Sequence, residues 1–387
     1  MHFTLHLTTV CNMRCSYCYS PPRPGDGMSE EVGARVLELG ARMNDGPCGI
    51  VFFGGEPLLH KDLIRNMVAR ARKMERRGDG RFQFKITTNG VLLDEEFLDF
   101  AIREGILIGM SFDGVQEVQD RHRRFPDGSP TFDFLHDKLR MLLEAKPYSS
   151  VLAVVNPDTA QFLSESVSFL LDCGCRYLIL SLNYAADWRE KHFRVLKREY
   201  KRLARLYIKW TREGRKFYLS PFEVKLSSHI NHHAYRKGRC ELAKRQLSID
   251  PKGNIFPCVQ FTRAGPGSRW QIGNVFDGID EEARSRVHDE SEAEKETCRD
   301  CVVKNRCNNS CGCLNWQTTG TVNKVSPVLC RNEQMLIRIA DGIGETLYKK
   351  RDPLFVNKHY NEAYPALSLL EDSTSDHNKL ITSIATD

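Results

Sequence analysis

Fourteen cysteines occur in 387 residues, and they are the side chains best able to do chemistry. Their spacing is uneven. Cys11, Cys15 and Cys18 lie at the front, Cys240 and Cys258 come much later, and Cys298, Cys301, Cys307, Cys311, Cys313 and Cys330 close the series. Cys48, Cys173 and Cys175 stand apart, in or beside regular elements, and are expected to be core residues. A cytoplasmic chain keeps its thiols reduced, so clustered cysteines point to metal rather than disulfides. Cys11-x3-Cys15-x2-Cys18 sets three thiolates on one short loop. Zinc sites favour a fourth Cys or His in paired spacing. A [4Fe–4S] cube held by three cysteines instead leaves one iron without a protein ligand. That iron is open to a small molecule carrying an amine and a carboxylate.

Such a loop needs a scaffold, and the first 225 residues supply an alternation of strand and helix patterns. Strands are predicted at Phe3–Thr8, Gly49–Phe53, Phe82–Thr88, Ile106–Phe112, Val151–Asn156 and Tyr177–Leu182. Helical spacing occupies Glu31–Met43, Leu63–Met74, Glu95–Glu104, Phe132–Glu144 and Ala160–Cys173, and an amphipathic basic helix runs over Arg194–Arg215. Repeated strand–helix units imply a parallel sheet with helices outside, and its chemistry gathers at the carboxyl ends of the strands. Cys11–Cys18 follows strand one, Gly54-Gly55-Glu56-Pro57 strand two and Thr88-Asn89-Gly90 strand three, while Ser111-Phe112-Asp113-Gly114 ends strand four. Four polar or glycine-rich segments are therefore expected on one rim.

Composition narrows the class further. Hydrophobic residues are 41% and charged residues 27%, an ordinary globular balance. The net charge of +6 is mild for this length and does not make a nucleic-acid footprint. No apolar run is long enough for a membrane span, and the first eight residues are too polar for a signal peptide.

With these residues in view, the front half resembles the radical S-adenosylmethionine (SAM) superfamily. The resemblance implies a partial (β/α)6 TIM-like barrel over 1–225. It gives Cys11, Cys15 and Cys18 to a [4Fe–4S] cluster whose open iron binds SAM. It gives Gly54, Gly55, Glu56 and Pro57 to the SAM ammonium, and Tyr17 to a place beside the adenine. Ser111 and Asp113 match the ribose-contacting segment. Arg123 falls where an arginine meets the SAM carboxylate, with Arg121 and Arg124 as competing neighbours. Asn156 and Leu180 lie where adenine contacts are expected. The implied chemistry is reductive SAM cleavage to methionine and a 5′-deoxyadenosyl radical, which removes a hydrogen from an unreactive carbon.

From about residue 226 to 350 the alternation gives way to short pieces punctuated by Gly and Pro, expected to need staples for want of a large core. This part is similar to a SPASM domain, loop-rich and cysteine-rich, with a β-hairpin at Leu247–Ile255. The resemblance implies two auxiliary [4Fe–4S] clusters, making three in all. Cys298, Cys301, Cys307 and Cys330 would hold the outer one, and Cys240, Cys258 and Cys311 the inner one. Cys313 is either a fourth inner ligand or a buried free thiol. A zinc ribbon with Lys244, Arg245, Arg263, Arg269, Arg299, Lys304 and Arg306 as a nucleic-acid face is the competing reading. His229, His232 and His233 are expected to be solvated. Residues 351–387 read as a partly disordered tail.

Enzymes resembling the chain over both parts are peptide maturases and anaerobic sulfatase-maturating enzymes. They imply net two-electron oxidation of a residue in a peptide or protein, such as a thioether or carbon-centred cross-link in a ribosomally made peptide. Flavodoxin or ferredoxin would donate the electron. Sulfatase maturases place an Asp base after the second hairpin cysteine. Val259 stands there and takes no proton, which weakens formylglycine formation. A small-molecule radical SAM dehydrogenase is a further alternative. Strand one begins near residue 3, leaving no room ahead of it for a leader-binding domain, so leader binding is expected from a separate leader-binding protein, from the barrel itself, or not at all. Asp187, Glu190, Tyr184 and Tyr218 fall near the expected mouth, and surface or packing roles are expected for them.

Overall fold

In the computed structural model, residues 1–20, 25, 27–43, 46–230 and 240–364 are described. Seven strands run parallel in one sheet: β1 (His2–His6), β2 (Cys48–Phe53), β3 (Phe82–Thr88), β4 (Leu107–Ser111), β5 (Ser150–Val155), β6 (Tyr177–Leu182) and β7 (Tyr218–Leu219). The first six lie within two residues of their predicted places, and β7, a two-residue edge, was not predicted. Between them lie α1 (Glu30–Met43), α2 (Lys61–Arg77), α3 (Glu95–Arg103), α4 (Gln116–His122), α5 (Phe132–Ala145), α6 (Leu163–Asp172) and α7 (Glu190–Arg212). The strands are rich in Ile, Val and Phe, and the core between sheet and helices includes Phe3, Leu5, Ile50, Phe52, Phe84 and Ile86. Asp94 caps α3 by accepting from Phe97 N at 2.9 Å, and Gly78, at φ +81°, ends α2 in the left-handed conformation.

The expected hairpin forms, but it does more than decorate the rear. β8 (Gln246–Ile249) pairs parallel with β1 from His2↔Gln246 to Leu5↔Ile249, and β9 (Ile255–Phe256) returns antiparallel. One nine-stranded sheet thus runs β7-β6-β5-β4-β3-β2-β1-β8-β9. Asp250 builds the hairpin turn by accepting from Lys252 N and Asn254 N, with Gly253 at φ +85°. The strand carrying the front loop is therefore hydrogen-bonded to the strand that leads toward Cys258.

Beyond β7 come α8 (Ser220–Ile230), a small hairpin of β10 (Gly273–Asn274) and β11 (Gly278–Ile279), α9 (Glu281–Glu292), α10 (Gly312–Thr319), α11 (Pro327–Lys349) and α12 (Pro353–Tyr360). The rear buries more than its sequence suggests: Phe261 packs on Trp270 at 4.7 Å and on Trp316 at 4.6 Å between ring centroids. Helix α11 lies against α7 and α8. Lys225 of α8 and Glu333 of α11, both buried, pair at 2.6 Å. The segment 351–387 holds α12, whose Phe355 is buried and whose Lys358 pairs with Glu223, while 365–387 lies outside the described residues. Among the described residues no helix is long and apolar enough to cross a membrane.

Candidate functional site

The loop after β1 brings Cys11, Cys15 and Cys18 to the carboxyl rim of the sheet, and neighbouring strands steady it. Asn89, just past β3, donates through Nδ2 to Asn12 Oδ1 at 2.8 Å and to Cys11 Sγ at 3.6 Å. Its backbone N–H donates to Glu56 Oε2 at 2.7 Å. Glu56 Oε1 accepts from Thr88 Oγ1 at 2.7 Å and from Leu58 N at 3.0 Å. The loops after β1, β2 and β3 are thus one hydrogen-bonded unit. Full burial raises the Glu56 carboxyl above its ordinary range, although these donors and Arg123 oppose the shift. Burial likewise pushes the Cys11 thiol up to about 11.

The glycines of this segment are required by space. Gly54 sits at φ +127°, and a Cβ there would lie 2.5 Å from Thr8 O; at Gly55 it would lie 2.0 Å from Val10 O. Only glycine lets the two backbones approach this closely, with Gly55 N and Glu56 N donating to Thr8 O and Val10 O.

A second unit joins the front loop to β4 and β5. Tyr17 Oη donates to Asp113 Oδ2 at 2.6 Å, and Arg123 Nη1 donates to Tyr17 Oη at 2.9 Å. Asp113 Oδ1 accepts from Val154 N at 3.0 Å. Burial raises the Asp113 carboxyl, with Arg123 opposing. Burial works against the Arg123 charge, yet Tyr17, Cys15 and Asp113 hold its pKa above the usual value. Its Nε is buried with no partner among the described residues. Arg121 is instead paired with Asp158, and Arg124 donates to Gly128 O at 2.8 Å, both on the surface. Of the three neighbouring arginines, Arg123 alone turns into the rim network.

Asn156 is buried after β5; its Oδ1 accepts from Asn183 Nδ2 at 2.9 Å, while its own Nδ2 has no partner among the described residues. Asp113 and Leu180 line one small void with Val154 and Val155. Ser111 ends β4, half-buried, with its main chain paired to Leu152.

The rear thiols gather in two groups. Cys298 and Cys301 act electrostatically on Cys330, and Cys330 on Cys307. Cys258 and Cys311 act on Cys240, whose thiol is pushed up to about 12 by burial first and then by these neighbours. Cys311 and Cys313 sulfurs lie 3.4 Å apart. Among the described residues, no three His, Cys, Asp or Glu side chains are gathered as the ligands of a metal ion. A cluster is wider than an ion, so its thiolates need not meet at one point. The donor chemistry fits iron–sulfur ligation: soft thiols in groups, with buried donors and close-packed glycines beside the front three.

Six of the seven basic residues of the competing nucleic-acid reading are engaged elsewhere. Arg245 pairs with Glu241, Arg269 with Glu290, Arg299 with Glu294 and Arg306 with Asp341, while Lys304 donates to Arg299 O and Arg263 stacks over Trp316. His229 is not simply solvated: it pairs with Asp341 at 3.2 Å, because α11 runs alongside α8. His232 and His233 lie outside the described residues. Cys48 and Cys175 are buried in the core, and Cys173 is half-buried against His136. Asp187 and Glu190 are spent on Arg189 and Arg331 at the surface. Tyr184 and Tyr218 line a cavity of about 1150 Å³ bordered by β6, α8 and α11, which Cys240 and Leu180 also reach.

Two residues escaped sequence reasoning. Asn89 was legible only as part of a rim segment, and its link between Cys11 and Glu56 needed coordinates. Tyr19 has a hydroxyl that is buried without a partner among the described residues, with Cys258, Cys18 and Cys313 near enough to act on it. It stands between front and rear thiols, a position that only the packing of β1 on β8 creates.

Comparison with known proteins agrees with this geometry. Residues 5–170 match the radical SAM superfamily. A cysteine-type anaerobic sulfatase-maturating enzyme of Clostridium novyi is 25% identical over 64% of this chain and 70% of its own length. Among solved structures, native anSMEcpe with bound AdoMet and the Kp18Cys peptide covers 90% of this chain and 100% of its own, at TM-score 0.78 and 19% identity. Streptococcus suis SuiB bound to the precursor peptide SuiA covers 85% and 75%, at TM-score 0.60 and 14% identity. These structural likenesses are of fold.

Proposed function

We propose, from the premise that this chain is a radical SAM enzyme with its radical SAM domain at residues 5–170, that it oxidises a residue within a peptide or protein and installs a cross-link. The observation that carries the reading is the rim itself. A buried Arg123 with a free Nε and a buried Glu56 stand on either side of three grouped thiols, beside glycines that admit no side chain. Cys11, Cys15 and Cys18 would hold the SAM cluster. Glu56 and the backbone of Gly54 and Gly55 would take the SAM ammonium, and Arg123 the carboxylate. Tyr17, Ser111, Asp113, Asn156 and Leu180 would orient the nucleoside. Cys298, Cys301, Cys307 and Cys330, with Cys240, Cys258 and Cys311, would hold two auxiliary clusters. When bound, these groups supply a 5′-deoxyadenosyl radical that removes a hydrogen atom and an acceptor for the second substrate electron.

What the chain's own residues do is bind, orient and exclude water. Tyr17, Asp113 and Arg123 are already locked to one another, so little reorganisation accompanies SAM binding. The cavity beside β6, lined by Tyr184, Leu180 and Tyr218, has room for part of a peptide. Peptide action is supported by the relatives, which include sulfatase-maturating enzymes and SuiB with its precursor peptide. A flavodoxin or ferredoxin would supply electrons.

The same relatives favour a second reading, formylglycine formation on a sulfatase-like protein. Against it, Val259 opens the turn after Cys258 and has no group to take a proton. Its neighbour Gln260 presents a buried, unpartnered Oε1, an acceptor but no base at neutral pH. The test is incubation with SAM, dithionite and a cysteine-containing peptide, read by mass. A cross-link removes two hydrogens and keeps sulfur. Formylglycine formation removes two hydrogens and then exchanges sulfur for water oxygen, releasing hydrogen sulfide. Sulfur loss would overturn the cross-link reading, and absence of 5′-deoxyadenosine would overturn both.

A further inference from the structure

We propose that Cys313 is the fourth thiolate of the inner auxiliary cluster, completing a set with Cys240, Cys258 and Cys311, so that no iron of that cluster is left open to substrate. The inference rests on the proposed reading of the rear cysteines as iron–sulfur ligands, and it decides what that inner site can do.

The observations are geometric. The sulfurs of Cys311 and Cys313 are 3.4 Å apart, and the Cys313 thiol is also hydrogen-bonded to Cys258. Cys240 lies within electrostatic reach of Cys258 and Cys311. Four thiols from three chain segments therefore share one neighbourhood: one before β8, one after β9, and two at the start of α10. A free cysteine kept as a small hydrophobe packs against carbon. Cys313 borders the apolar core as such a residue would, but its sulfur also lies 3.4 Å from that of Cys311.

The local backbone is arranged for this meeting. Cys311 is the N-cap of α10, Gly312 its first residue and Cys313 its second. A Cβ at Gly312 would lie 2.7 Å from Leu242 Cδ2 and 2.7 Å from Ser291 Oγ. Glycine thus lets the start of α10 press against Leu242, two residues beyond Cys240, and holds the two cysteines on either side of that contact.

A closed inner cluster has a chemical consequence. Substrate sulfur has no iron to bind there, so the site acts by accepting or passing electrons.

The test uses the full chain with Cys11, Cys15 and Cys18 replaced by alanine, reconstituted anaerobically with iron and sulfide so that only the rear sites fill. Iron analysis is followed by ferricyanide oxidation and EPR. A cube with an unligated iron loses it and gives a [3Fe–4S] signal, whereas a cube with four thiolates resists. With Cys313 native, about 8 Fe for two [4Fe–4S] clusters and no [3Fe–4S] signal are expected. Adding Cys313→Ala is expected to produce that signal or a loss of about 4 Fe. A [3Fe–4S] signal in the protein that keeps Cys313 would overturn the proposal, and this arm needs no Cys313 variant to fold. A Cys313→Ala protein matching its parent in iron and EPR would overturn it too. A parent that takes up zinc, or no iron, overturns the reading of the rear cysteines as well, which sets that failure apart from the others.

Discussion

At the front, Cys11 is held by Asn89, Asn89 by Glu56, and Tyr17 by Asp113 and Arg123. At the rear, short turns carry Cys298, Cys301 and Cys307, and the thiols of Cys258, Cys311 and Cys313 bond mainly to one another. The front carries its thiols on one loop after β1, tied by hydrogen bonds to the segments that follow β3 and β4. The rear has a small aromatic centre of Phe261, Trp270 and Trp316, and leans on α11 packed against the barrel. The difference separates two uses of cysteine. Removing front thiols should cost chemistry and leave the fold, while disturbing the rear should cost the fold first.

The largest expected effect sharpens that contrast. Replacing Cys11, Cys15 and Cys18 together by alanine is expected to cut 5′-deoxyadenosine formation to background, a loss of about 10³-fold or more. Denaturant unfolding followed by far-UV circular dichroism is expected to stay within about 2 kcal/mol of the parent, since Cys11 and Cys15 touch the core only from partly buried positions. A collapse of the fold would show that the front is cofactor-dependent after all.

Next comes the bolt between the halves. Lys225→Met leaves Glu333 as an uncompensated buried charge and is expected to cost about 3–5 kcal/mol. The Lys225→Met/Glu333→Leu double variant is expected to recover most of it. Hydrogen exchange should show α11 and the rear opening while β1–β5 stay protected. Equal loss of protection across β1–β5 would break the comparison.

The barrel has its own acid weakness. Burial holds His6, on β1, at about 4 rather than its ordinary 6.5. As pH falls the unfolded chain takes up that proton first. This contribution is therefore complete above about 6.5, declines between 6.5 and 4, and is flat below. A shift of 2.5 units at 1.36 kcal/mol each is about 3 kcal/mol. Ring NMR is expected to find His6 titrating near 4 in the folded protein, and a value near 6.5 would remove the effect.

The smallest effect concerns preorganisation. Tyr17→Phe deletes the hydroxyl that bridges Arg123 and Asp113 and is expected to cost about 1–3 kcal/mol of stability. SAM affinity, by titration calorimetry, should fall while iron content holds. Unchanged stability would show that the bridge is dispensable.

Much of this was readable from sequence where one period dominates. The apolar runs of β1, β2 and β4 are nearly continuously buried, those of β3 and β5 alternate, and both patterns announce themselves, while the rim segments follow from strand order. The choice of Arg123 over Arg121 and Arg124 was not readable, because it depends on which way the chain turns after α4. The pairing of β8 with β1 was equally hidden, since a four-residue strand carries no sign of a partner some 240 residues earlier. Helix α9, Glu281–Glu292, escaped because only Ala283, Val287 and Ser291 of its residues are buried, which leaves a faint apolar stripe.

The most direct measurement is iron and acid-labile sulfide per chain on anaerobically reconstituted protein, taken with 5′-deoxyadenosine formed after adding SAM and dithionite. About 12 Fe, for three [4Fe–4S] clusters, together with reductive SAM cleavage is the expected result. Zinc in place of iron at the rear, or iron with no 5′-deoxyadenosine, would contradict it.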